Sequence, residues 1–71
     1  MVNEQRDERG VAPVPAEQRR RLHARYIEIG EAVLAGAIGI SRHGLARAMA
    51  GLNVYSVTRS TIARYLGEVG Q

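Results

Sequence analysis

The chain has no cysteine, no tryptophan and no phenylalanine among its 71 residues, and its ten cationic side chains are all arginine. Without cysteine there is no disulfide framework and no thiolate metal site, and nothing points to an oxidising compartment. Without Trp or Phe the core must be aliphatic, helped only by three tyrosines. No apolar run approaches the ~20 residues that a bilayer-spanning helix needs, so no membrane association is expected. The N-terminus carries acids where a signal peptide would carry an apolar core. A length of 71 residues leaves room for one small domain and excludes a two-lobed cleft, a barrel or a doubly wound sheet. No acid/base pair, nucleophile elbow or phosphate loop is present, so neither an enzyme nor a cofactor is expected. His23 and His43 have no acid at ligand spacing and read as surface histidines, with no metal site and no catalytic base.

What is present divides into an arm over residues 1–15, a domain over 16–67 and a tail over 68–71. The first ten residues hold Glu4, Asp7 and Glu8 with Arg6 and Arg9, and have almost nothing to bury. Pro13 and Pro15 follow and interrupt regular hydrogen bonding, which predicts a flexible arm. A first helix is predicted to start near Pro15 to Glu17, where proline is tolerated and an acid suits the helix dipole. Leu22, Tyr26, Ile29 and Val33 form one apolar stripe on it, with Arg20, Arg21, Glu28 and Glu31 off the stripe. The helix is expected to fade between Gly36 and Gly39.

A second, short helix fits Arg42 to Ala50, capped by Ser41 and ended by Gly51. Leu45, Met49 and Leu52 point inward, and Ile38 and Ile40 anchor the loop before it. The third helix has two candidate starts. Asn53 can cap a helix from Val54 to Leu66, or Thr58 a shorter one; the longer is preferred, and a β-hairpin through Leu52 to Val57 is the alternative. In the longer helix Val54, Val57, Thr58, Thr61, Ile62 and Tyr65 face inward, while Ser56, Arg59, Ser60, Ala63 and Arg64 face outward. Gly67 and Gly70 then end the structured part. The fold class is all-α, a small bundle of three or four helices. So small an aliphatic core leaves a monomer little margin, so a homodimer or a stabilising partner is expected.

The informative segment is Ser41 to Leu66. Where two helices cross closely in a helix-turn-helix, one position on the first must be small, and Ala46 meets that need. The outer face of the next helix then projects Ser, Ala and Arg side chains able to enter a major groove. An arginine fork on guanine O6 and N7 contributes about 1–3 kcal/mol of discrimination. This segment resembles the helix-turn-helix of the phage repressor and Cro-like family. Leu45-Ala46 followed by Met49 resembles the first motif helix, and Val57 to Tyr65 resembles the turn and recognition helix. The connection from Ala50 to Ser56 exceeds the usual three turn residues and resembles the lengthened form of some actinobacterial and actinophage regulators. By that resemblance Ser56, Arg59, Ser60, Ala63 and Arg64 face bases, and Ser41, Arg42, His43, Arg47, Tyr55 and Thr58 face phosphates. It implies a Cro-like repressor in the cytoplasm of a bacterial or phage-infected cell. It would bind double-stranded DNA as a homodimer and regulate transcription by operator occupancy, with no small-molecule effector.

Charge agrees in sign. Residues 37–71 carry Arg42, Arg47, Arg59 and Arg64 against Glu68, a net of +3, while residues 1–36 carry six arginines and six acids. Arg19-Arg20-Arg21 with Arg25 reads first as a solvated helix face and second as another phosphate patch. Tyr26 and Tyr65 read as core residues with their hydroxyls at the rim. A recombination or partition accessory protein would share the same DNA motif. The alternative from another class is a small helical adaptor or inhibitor of phage or antitoxin type. Protein docking favours aromatic or large aliphatic anchors, which the outer face of the third helix lacks apart from Tyr55.

Overall fold

The computed structural model describes residues 10–69, in the order β1 (Val11–Ala12), α1 (Ala16–Ile29), α2 (Glu31–Ile38), α3 (Arg42–Met49), β2 (Val54–Tyr55) and α4 (Ser56–Val69). The class is helical, as expected, with four helices and one two-stranded ribbon. Helices α1 and α2 pack on both α3 and α4, and β2 packs against α3 and α4. The core is aliphatic. Leu22, Leu34, Leu45, Ile62, Leu66 and Val14 are enclosed, each contributing about 1.5–3 kcal/mol by leaving water.

Helix α1 starts where proline and the first-turn acid predict, with Pro15 at the cap and the Arg19 amide donating to the Pro15 carbonyl at 2.9 Å. It stops earlier than expected. Gly30 takes φ 88° and ψ 162°, a region essentially restricted to glycine. Its amide donates to the Tyr26 carbonyl at 2.8 Å and its carbonyl accepts from the Leu34 amide at 3.0 Å, so one residue ends α1 and begins α2. The apolar stripe therefore changes register. Leu34, Ala35 and Ile38 enter the core, while Val33 is 61 % exposed and Tyr26 is at the surface.

The connection from α2 to α3 is three residues long. Gly39 is left-handed (φ 94°, ψ 31°), and its amide and that of Ile40 both donate to the Ala35 carbonyl, at 2.8 and 3.1 Å. Ile40 packs half-buried against the core, and Ser41 caps α3 as expected, its Oγ accepting from the Gly44 amide at 2.9 Å. Helix α3 ends in a Schellman arrangement. The Leu52 amide donates to the Arg47 carbonyl at 3.0 Å and the Gly51 amide to the Ala48 carbonyl at 3.2 Å. Ala48 is the fully buried alanine of this helix; Ala46, expected at a helix crossing, is exposed.

The largest departures lie at the two ends. Residues 1–9 of the expected arm fall outside the described residues, but residues 10–15 belong to the body. Val11 pairs with Tyr55 and Ala12 with Val54 in an antiparallel ribbon, and Val14 is buried in the core. Asn53 does not cap a helix through Val54; Val54 and Tyr55 are extended, and α4 starts at Ser56. The hairpin alternative places a strand at the right residues with the wrong partner. At the other end α4 continues through Gly67, where a tail was expected.

Isolated two-residue strands are marginal in water. Arg59 secures this ribbon: its Nη1 donates to the Val54 carbonyl at 2.9 Å and lies 3.3 Å from the Ala12 and 3.4 Å from the Gly10 carbonyl. One nitrogen thus spans both strands and the turn before them. The arginine run on α1 works the same way. Arg19 Nη1 donates to the Val14 carbonyl and Arg21 Nη2 to the Leu66 carbonyl, each at 2.6 Å. Arg25 Nε donates to the Tyr65 hydroxyl at 3.3 Å and its Nη1 to Glu28 Oε1 at 2.8 Å. The Tyr65 hydrogen bond, with a smaller contribution from Glu28, raises the guanidinium pKa above its ordinary value. Three of the four arginines thus tie α1 to other segments or to its own last turn, and Arg20 alone behaves as a purely solvated residue.

Candidate nucleic-acid interface

Two eight-residue helices joined by a glycine-containing connection of three residues have the local form of a helix-turn-helix. In this molecule that form is α2, Gly39 to Ser41 and α3. The resemblance drawn from the sequence falls on α3 and α4, which are joined by the longer connection of residues 50–55, while the shorter, three-residue connection precedes α3. A left-handed glycine turns the chain sharply, Ile40 pins the corner to the core, and Ser41 starts the next helix at once. Leu45 and Ala48 hold α3 down, which leaves Arg42, His43, Ala46 and Ala50 exposed and Arg47 half-buried beside them.

The charges that α3 itself carries are of one sign, and the acid nearest its outer side is Glu31 of α2, which shares a concavity with Ala46 and Ala50. Helix α3 contains no acid, and none occurs from Ala32 through Gly67. Arg42 and His43 make no hydrogen bond or ion pair among the described residues. Arg47 does: its Nε and Nη2 both donate to the Asn53 carbonyl, at 3.3 and 2.9 Å.

Five of the six residues expected at phosphates come together. Ser41, His43, Arg47, Tyr55 and Thr58 line one concavity between α3 and the junction of β2 with α4, with Val54 also in its wall. Arg42 is exposed on the first turn of α3. The concavity offers hydroxyls, an imidazole and a guanidinium, the donor types that grip phosphate oxygens.

The set expected at base edges does not hold together in the same way. Ser56, Ser60 and Arg64 are exposed along α4 and Ala63 is half-buried, but Arg59 is turned back onto the ribbon carbonyls. Val57, expected inside, is 69 % exposed. The corner before α3 has its own sequence signal. Gly39, Ile40 and the capping Ser41 stand between two helical runs, and Leu34, Ala35, Ile38, Leu45 and Ala48 supply the buried positions on both sides.

A second, shallower concavity lies between α1 and α3, lined by His23, Tyr26, Glu31, Ala46 and Met49. The His23 and Tyr26 rings sit 6.0 Å apart within it, tilted by 45°. Among the described residues no cluster of three or more His, Cys, Asp or Glu is placed to hold a metal ion. Among the described residues no helix is long and apolar enough to cross a membrane. No protein family, curated protein or solved structure matches the chain.

Proposed function

We propose that the chain binds double-stranded DNA, with α2 and α3 as its helix-turn-helix and α3 as the helix that enters the major groove. The observation that carries this reading is the three-residue, left-handed connection at Gly39 leading into an exposed helix face whose charges are all positive. In such a motif the second helix lies in the major groove and meets base edges. Here Ala46 and Arg47 lie toward the base edges, and Ser41, Arg42 and His43 on the first turn lie toward the flanking phosphates. Tyr55 and Thr58, across the concavity, supply backbone contacts, and Arg64 and Ser60 lie outside the contact. The action is that of a transcriptional regulator working by occupancy. Two copies bind half-sites spaced by about one helical turn, roughly 34–36 Å, and block access to the DNA between and beside them.

The reading is tested by titrating a mixed-sequence duplex at several salt concentrations. Binding should weaken steeply with salt, with a log–log slope of roughly −2 to −4 per copy for two arginines and one or two further contacts. Absence of duplex binding at low salt, or binding indifferent to salt, contradicts it. A protein-docking role would rest on Tyr55 and Val57, which are 67 % and 69 % exposed near the start of α4. Substituting Val57, which lies outside the proposed DNA contact, by serine should then weaken partner binding and leave duplex affinity and its salt slope nearly unchanged.

A further inference from the structure

Of the cationic side chains on the outer side of α3, only Arg47 is held in place by another of the described residues. Its Nε and Nη2 chelate the Asn53 carbonyl. Asn53 is itself anchored on both sides. The Leu52 amide before it is bonded to the Arg47 carbonyl, and Val54 after it is buried and paired with Ala12. The backbone and the guanidinium of Arg47 are therefore tied to one short loop. A phosphate contact needs only a cation within reach, whereas reading a base needs a planar fork at a set angle. The Asn53 carbonyl occupies the side of the guanidinium formed by Nε and Nη2. Its end, formed by Nη1 and the second hydrogen of Nη2, keeps two parallel donors, which match guanine O6 and N7. Among the described residues no acid forms an ion pair with Arg47.

The rest of α3 narrows the choice of base. Bidentate adenine reading uses Asn or Gln, and cytosine reading uses Asp or Glu; α3 contains none of these. We infer that Arg47, pre-oriented by the Asn53 carbonyl, is the specificity-determining residue and reads a guanine in the major groove. This rests on the DNA-binding reading above. Arg42, whose side chain has no partner among the described residues, supplies charge.

The experiment is selection of bound sites from random duplexes by the full chain and by Arg47→Lys, Arg47→Gln and Arg42→Ala. Each protein is also titrated on an unselected duplex, and its fold is checked by circular dichroism. The full chain should recover sites with one fixed guanine per half-site, favoured over other bases by roughly 5- to 100-fold. Arg47→Lys keeps the charge and loses the fork. It should lose that preference while its affinity for the unselected duplex stays within about two-fold. Arg47→Gln should shift the position toward adenine. Arg42→Ala should weaken binding on all sequences and keep the guanine. An unchanged guanine preference in Arg47→Lys, or an equal loss on every sequence, overturns the assignment while leaving DNA binding intact. Failure of the full chain to bind any duplex overturns the DNA-binding reading itself, and this inference with it.

Discussion

Arg59 separates two accounts of this molecule, one in which it touches DNA and one in which it holds the fold. In the structure its Nη1 carries two hydrogens and faces three carbonyls. The Val54 contact at 2.9 Å is the strong one, and those to Ala12 and Gly10 at 3.3 and 3.4 Å share what remains. A charge-assisted hydrogen bond contributes about 1.5–3 kcal/mol, and the two long contacts add little beside it. Partial access to water lets solvent replace some of this, so Arg59→Ala should cost about 1.5–3 kcal/mol in total. For a domain of this size each kcal/mol lowers the melting temperature by about 4–8 °C, so the fall should be roughly 6–24 °C. Thermal denaturation followed by far-ultraviolet circular dichroism gives the midpoint. Hydrogen exchange should locate the loss at the amides of Val11, Ala12, Val54 and Tyr55. Duplex affinity, measured well below the transition, should stay within about two-fold. An unchanged melting temperature together with a ten-fold loss of DNA binding would refute this and return Arg59 to the DNA.

Other substitutions test the corners. A Cβ at Gly30 or at Gly39 meets no atom within 4 Å, so alanine there carries only backbone strain; each should cost about 1–3 kcal/mol in urea denaturation, and Gly39→Asn should cost less than Gly39→Ala. Ser41→Ala removes the α3 cap and should cost about 1 kcal/mol, with faster amide exchange at Gly44; equal stability of the two proteins would dismiss the cap. Val14→Ala should cost about 1.5–3 kcal/mol by the same denaturation, because that side chain is 0 % exposed; a loss under 0.5 kcal/mol would return residues 10–15 to an arm.

Where local chemistry decided the structure, the sequence was legible. Pro15 and Glu17 begin α1, Ser41 caps α3, Gly51 ends it, and Ile38 and Ile40 sit against the core as their positions suggest. Three outcomes depended on tertiary partners and were not legible. Gly30 breaks a helix that periodicity alone would run onward, because the turned chain delivers Leu34 and Ile38 to the core. Val54 and Tyr55 fit a helix face until a strand from the N-terminus pairs with them. Arg59 points outward on a helical wheel, yet its long side chain bends back to carbonyls 47 and 49 residues earlier in the chain. The first of these also creates the short corner: once α1 and α2 separate at Gly30, a three-residue glycine connection joins two short helices, α2 and α3. The groove residues Ser41, His43, Arg47, Tyr55 and Thr58 were identifiable individually, while their meeting in one concavity depends on β2.

On the proposed function α3, and not α4, meets the duplex, and amide chemical-shift mapping of the isotope-labelled chain against a DNA duplex at low salt distinguishes the two helices. The largest shifts should run from Gly39 to Ala50 and extend to Tyr55 and Thr58, with Ser60 to Gly67 nearly unmoved. Shifts concentrated on Ser56, Ser60 and Arg64, with α3 silent, would contradict it.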